Sequence, residues 1–223
     1  DASDIAWHTR QVSRELSREP ARTSDQPFTN TIVRARSSPD GEGLQVLVYA
    51  QDQNDLFVRI CGYFDQASFS ILDAKVHTTR DGHALDTFQV VAPTMSDHYR
   101  ELISMVESGL TLAIDARGEL PTPGRGRLSR RVKSFPVIPR VDLRPDEKAQ
   151  RWLLSVSASD RTGLLYSIAR VLARHGISLQ LAKITTLGER VEDTFLVSGV
   201  QLQHNRTQIQ IETELLDVLK SPV

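Results

Sequence analysis

The residues best placed to do chemistry in this 223-residue chain are Ser159-Asp160-Arg161-Thr162-Gly163. They lie between a run that alternates like a strand and a run with helical spacing. The first N–H groups of a helix have no partner within it, and the helix dipole favours an anion there, such as an amino-acid carboxylate. Gly163 lets a ligand approach the backbone, and Asp160 can accept bonds from an ammonium group. Gln180, on a following strand, is a further polar candidate. The matching turn upstream offers Asp52 and Asn54 as a weaker second set. The same residues also read as plain helix caps. Gly163→Val is expected to block approach to the backbone and leave the fold mostly intact.

No other residues form a reaction centre. The sequence has no HExxH, CxxC, GxSxG or P-loop pattern, no Asp-x-Asp pair for two-metal nucleotidyl transfer and no His-Asp doublet for a metal phosphohydrolase. His77 and His83 flank a hairpin and lack two further ligands, so they read as strand-end polar residues. Cys61, the single cysteine, reads as a small buried helix residue; alone it cannot form an internal disulfide, and a reducing, cytoplasmic setting is expected. With 27 basic and 28 acidic residues the net charge is −1, unlike a strongly basic nucleic-acid binder. The longest apolar runs are too short to span a membrane.

The elements that must position the turn are repeated. A shift of 108 residues places Val48, Ala50, Asp52, Leu56, Ile60, Ser70, Ala74 and Lys75 on Val156, Ala158, Asp160, Leu164, Ile168, Ser178, Ala182 and Lys183. After one deletion, a shift of 107 places Thr78, Thr79, Asp86, Thr87, Phe88 and Val90 on Thr185, Thr186, Asp193, Thr194, Phe195 and Val197. Ordinary residue usage would give about two or three such matches by chance. Each copy reads strand, strand, helix, strand, strand, helix. Leu56, Phe57, Ile60, Tyr63 and Phe64 form one helical stripe, and Leu164, Leu165, Ile168, Val171 and Leu172 form its counterpart. Asp52 and Asp160 are expected to cap these helices, and Gly176 to end the second. Tyr99, Leu102, Ile103 and Val106 mark one closing helix; Ile211, Leu215, Val218 and Leu219 mark the other.

The fold expected is α+β: two antiparallel sheets, each with helices on one face. The last strand of a βαββαβ unit is missing after the second helix, and the strand near 137–143 can fill its slot from the N-terminal side. The boundaries expected are a helix and connector at 1–30, a first unit at 31–118, a linker at 119–136 and a second unit at 137–223. Arg125, Arg127, Arg130, Arg131 and Lys133 make the linker basic, which reads as a solvated tether or a contact for an acidic partner. The chain starts at Asp1 with helical rather than signal-peptide character, which reads as a piece of a longer protein.

Asp160-Arg-Thr-Gly-Leu-Leu165 followed by His175-Gly-Ile-Ser-Leu179 resembles an ACT domain, the ferredoxin-like βαββαβ module that binds amino acids. The run Ala182–Phe195, and Asp55–Phe64 with Asp73–Phe88 in the first copy, are similar to the tandem ACT region of the bifunctional enzymes that uridylylate and deuridylylate the nitrogen-signalling protein PII. Departures from the family pattern are Thr162, Asn54-Asp55 and Leu181, which stand where Pro, Pro-Gly and Asn are usual. The resemblance implies that glutamine is the effector, that PII is the substrate of the parent enzyme and that Mg²⁺ or Mn²⁺ serves catalytic domains absent from this chain. It also implies that ACT units pair within or between chains. Neither a membrane nor a nucleic acid is an expected partner: an RRM shares the strand order but needs stacking aromatics where Ile177, Leu179 and Val197 stand. A free-standing ACT-repeat amino-acid-binding protein is the alternative reading.

Overall fold

The computed structural model describes residues 2–17, 31–39, 41–53, 55–79, 81–92, 99–116, 118–124, 137–146, 150–187 and 190–220. The basic linker residues and Asn54 lie outside them. A helix, α1 (Ala2–Leu16), precedes the first unit, which runs β1 (Ile32–Ser37), β2 (Leu44–Gln51), α2 (Leu56–Gln66), β3 (Ser70–Lys75), β4 (His83–Val91) and α3 (Tyr99–Asp115). The second unit runs β5 (Arg140–Pro145), β6 (Trp152–Ser159), α4 (Leu164–Arg174), β7 (Ser178–Lys183), β8 (Thr186–Leu187), β9 (Arg190–Ser198), a 3₁₀ turn at Val200–Gln203 and α5 (Asn205–Lys220).

Both units are antiparallel sheets with the same order, β1-β2-β4-β3 and β5-β6-β9-β7, with the short β8 added to β9. β1 and β5 therefore occupy the slot that the last strand of a βαββαβ unit would fill. Helix stripes and inward strand residues close each core, with Phe64, Phe88 and Phe195 fully buried. Burying each such ring stabilises the unit by roughly 1.5–3 kcal/mol. The duplication extends to details: β3 and β7 each break register at matching places, Ile71/Asp73 and Leu179/Leu181. The backbone after each first helix turns left-handed at matching residues, Ser68 (φ 59°) and Gly176 (φ 63°). On the outer edges, Glu107 accepts the Ala35 N–H at 2.8 Å and Glu212 accepts the Leu143 N–H at 3.3 Å. Each carboxylate occupies an edge donor that could otherwise recruit another strand.

Two features depart from the plain alternation of the sequence. Leu47 and Tyr49 are buried although they sit on the sheet face away from α2 and α3. Helix α1 meets that face: the Arg36 guanidinium stacks 4.1 Å from the Trp7 ring centroid, His8 Nε2 lies 3.2 Å from Thr87 Oγ1, and Arg34 pairs with Glu15 at 2.6 Å, while the His83 ring stacks on Tyr49 at 5.0 Å. The capping expectation also needs correction. The N-cap residues are Asp55 and Gly163, and neither makes a side-chain capping bond. Asp52 and Asp160 stand three residues further out, and Asp52 instead accepts the Thr78 hydroxyl at 2.7 Å.

The units meet through their first helices, α2 on α4, with edge strands β3 and β7 side by side. Gly62 makes the close approach possible, since a Cβ there would come within 2.9 Å of the Tyr166 ring. Tyr166 is held in turn by its hydroxyl, which donates to the Pro121 carbonyl.

Candidate ligand-binding site

The turn from β6 into α4 opens on a cavity of about 270 Å³ at the junction of the two units. Asp160–Tyr166 form one wall, Phe69–Leu72 of β3 and its approach form another, and Cys61 and Asp65 reach in from α2. Asp193 lies at the base.

Arg161 is the cation of the site and is only 7% exposed. Its Nη2 donates to the Val218 carbonyl near the end of α5 at 2.7 Å, where the helix dipole favours a positive charge. Its Nε and Nη1 are buried without a hydrogen-bond partner among the described residues. Burial pushes the guanidinium pKa down and nearby Asp65 opposes that shift, but an arginine remains charged in any ordinary buffer. Asp65 is likewise 7% exposed. Its Oδ2 accepts the Gly124 N–H at 2.6 Å, and its Oδ1 has no partner among the described residues. Asp193 accepts the Thr185 N–H at 3.2 Å; burial, aided by the charge of Asp160, pushes its carboxyl up to about 7.

Of the residues singled out by the sequence, Asp160, Arg161, Thr162 and Gly163 come together here. Asp160 and Thr162 are exposed and Arg161 is buried. Gln180 is not among the residues lining the cavity. It occupies the β7 register break, the place matched by Leu72 in β3, and donates to Ser198 Oγ at 3.4 Å. The first unit's equivalent cleft is about 40 Å³, lined by Asp52, Gln53 and Asp86 with Ser178 and Leu179 of β7. Gln53 stands where the second unit has Arg161, so this smaller cleft lacks the cation. Cys61 is buried on α2, and burial pushes its thiol well up, which leaves it unreactive. Among the described residues no group of His, Cys, Asp or Glu is placed to hold a metal, and no helix is long and apolar enough to cross a membrane.

Gly163 has φ +76°, and a Cβ there would meet Asp65 Oδ1 at 2.8 Å and the Gly124 carbonyl at 3.2 Å. That corrects the expectation that Gly163→Val spares the fold. The left-handed backbone costs a non-glycine residue about 1–2 kcal/mol, and a β-branched one more. The side chain would also push α2 and α4 apart. Urea denaturation should show a loss of at least about 2 kcal/mol; unchanged stability would contradict the contact.

The ACT domain family matches residues 152–210, from β6 into α5, and the second unit is accordingly an ACT domain, with the first its ferredoxin-like duplicate. Over nearly its whole length the chain is similar to bifunctional uridylyltransferase/uridylyl-removing enzymes. Identity is 56% over 220 residues with the enzyme of Cupriavidus metallidurans, covering 98% of this chain and 24% of the relative. It is 54% with those of Cupriavidus pinatubonensis and Ralstonia nicotianae, covering 99% and 98% of this chain and 25% of each relative. The chain thus spans about a quarter of the length of the curated relatives it matches. No solved structure matches it significantly.

Proposed function

We propose that this chain is the glutamine-sensing ACT region of a cytoplasmic enzyme that uridylylates and deuridylylates PII. The relatives' names carry the two activities, and the observation that carries ligand sensing is Arg161. It is a buried guanidinium with two donor nitrogens that find no partner among the described residues, set beside the uncapped start of α4 in a cavity between the units. Such donors suit the carboxylate of an amino acid. The ACT units pair within the chain to enclose the ligand. Occupancy would then bias the parent enzyme toward removal of UMP from PII and against its addition. The chemistry, with Mg²⁺ or Mn²⁺, belongs to the rest of that enzyme.

Discrimination follows from charge. Asp65 and Asp160 line the cavity against Arg161, and Asp193, raised to about 7, adds a partial negative charge. A neutral side-chain amide is tolerated there, whereas a second ligand carboxylate would be desolvated among like charges. Calorimetric titration of the chain with the twenty amino acids should show glutamine binding best, with one ligand per chain because the first unit's cleft is small and lacks the arginine. Equal affinity for glutamate, or no heat with any amino acid, would overturn the reading.

A further inference from the structure

We infer that Asp65, contributed by the first unit, receives the ammonium group of the amino acid bound at the second unit's turn. One ligand would then bridge the two units. This rests on the amino-acid reading above and adds to it a residue from outside the Asp160–Gly163 turn.

The argument starts from two incomplete hydrogen-bonding groups of opposite charge facing one cavity. Among the described residues, Arg161 Nε and Nη1 lack acceptors, and Asp65 Oδ1 lacks a donor. Both residues are more than nine-tenths buried. A buried carboxylate oxygen without a donor is costly, and so is a buried guanidinium nitrogen without an acceptor. A molecule carrying a carboxylate and an ammonium on one carbon supplies both missing partners and leaves the net charge of the site unchanged. A simple anion would satisfy Arg161 alone, and a simple cation would satisfy Asp65 alone.

The local structure fixes Asp65 for this role. It lies at the end of α2, where the Gly124 N–H holds Oδ2 at 2.6 Å and directs the other oxygen toward Gly163. Gly163 has no side chain to cover it. The repeat provides an internal control. The positions matched to Arg161 and Asp65 in the pseudo-equivalent site are Gln53 and Ala173. Both charges are absent together from the small cleft and present together in the large one.

The test compares L-glutamine with 4-carbamoylbutanoate, the same molecule without the α-amine, by calorimetry on the whole chain. The unaltered protein should bind glutamine at least about tenfold more tightly, as expected for a charge-assisted bond. Asp65→Asn keeps an oxygen for the Gly124 N–H but removes the charge. It should lose about tenfold or more in glutamine affinity, change little toward the deaminated compound, and so erase the preference. Equal weakening toward both compounds would mean that Asp65 only shapes the site, and the inference would fail. Unchanged glutamine binding by Asp65→Asn would also defeat it, while leaving the amino-acid reading standing. Should the variant melt early, the unaltered protein alone decides, because no preference for glutamine over the deaminated compound overturns the inference. Failure of every amino acid to bind removes the underlying reading and this inference with it.

Discussion

Arg161→Leu is expected to weaken glutamine binding by about thirtyfold or more while leaving the melting temperature within a few degrees. The binding loss follows from the burial of the guanidinium. In a site this dry, a carboxylate that loses its charged, forked partner forfeits roughly 2–5 kcal/mol, and each 1.4 kcal/mol is a factor of ten in affinity. Stability behaves differently because two effects oppose each other. The leucine removes the bond from Nη2 to the Val218 carbonyl and leaves Asp65 without its nearby cation. It also removes a guanidinium that is buried with two nitrogens unpartnered among the described residues. Removing a buried charge that lacks full pairing relieves its own desolvation cost, which offsets part of those losses. Arg161→Lys should fall between the two proteins in affinity, since an ammonium keeps the charge but cannot present the planar fork. Calorimetry and a thermal melt on the same samples separate the effects. Normal glutamine affinity in Arg161→Leu would remove the guanidinium from the site altogether.

Much of the architecture was readable because it was written twice. The matched Leu56/Leu164 and Phe88/Phe195 positions located helices and strands in both units, and the missing final strand correctly pointed to an N-terminal strand in its place. The turn at 160–163 was also visible, since a strand period gives way there to a helical one. What the sequence concealed depends on contacts between distant segments. Leu47 and Tyr49 look like the solvent face of a strand, but α1 meets that face and the His83 ring stacks on Tyr49. Asp65 sits at the end of an apolar helical stripe, where an exposed polar residue is the ordinary expectation. Its burial arises only because α4 and the residues around Gly124 pack against α2. Gln180 misled for a related reason. Near in sequence to the turn, it lies on β7, whereas the strand that completes the cavity is β3 of the other unit. Both N-caps lie three residues beyond the expected aspartates because a short turn separates each strand from its helix, left-handed at Gly163 but not at Asp55, and spacing alone does not reveal it. One signal was present but unused: Asp86 and Asp193 are identical across the repeat on strands that are otherwise apolar or hydroxylic at their buried positions.

Those two aspartates carry the second large expectation, a fold that loses stability as pH rises from acid to neutral. Asp86 and Asp193 are 1% and 2% exposed, and burial pushes each carboxyl from its ordinary value of 3.8 up to about 7. One backbone N–H opposes the shift in each case, His77 for Asp86 and Thr185 for Asp193, both at 3.2 Å. The charges of Asp52 and Asp160 reinforce it. A carboxyl raised in the folded state holds its proton there after the unfolded chain has released it. Its contribution to stability is therefore complete below about pH 4 and declines as pH rises through about 7. Beyond that, both states are ionised and the penalty is constant. At 1.36 kcal/mol per pH unit, the upper bound is roughly 4 kcal/mol for each group. Glu214, held low by Gln210 and His175, acts in the opposite sense and only at acid pH, so it does not mask a trend between pH 5.5 and 8.5. Substitution isolates the two carboxyls. Asparagine retains an oxygen for the His77 or Thr185 N–H and has no proton to lose. Urea midpoints of the unaltered chain should fall from pH 5.5 to about 7.5 and level off above it. Asp86→Asn with Asp193→Asn should flatten most of that slope and exceed the unaltered chain in stability at pH 8.5. A double variant with the original slope would show that the two carboxyls are already ionised near pH 5 in the folded protein.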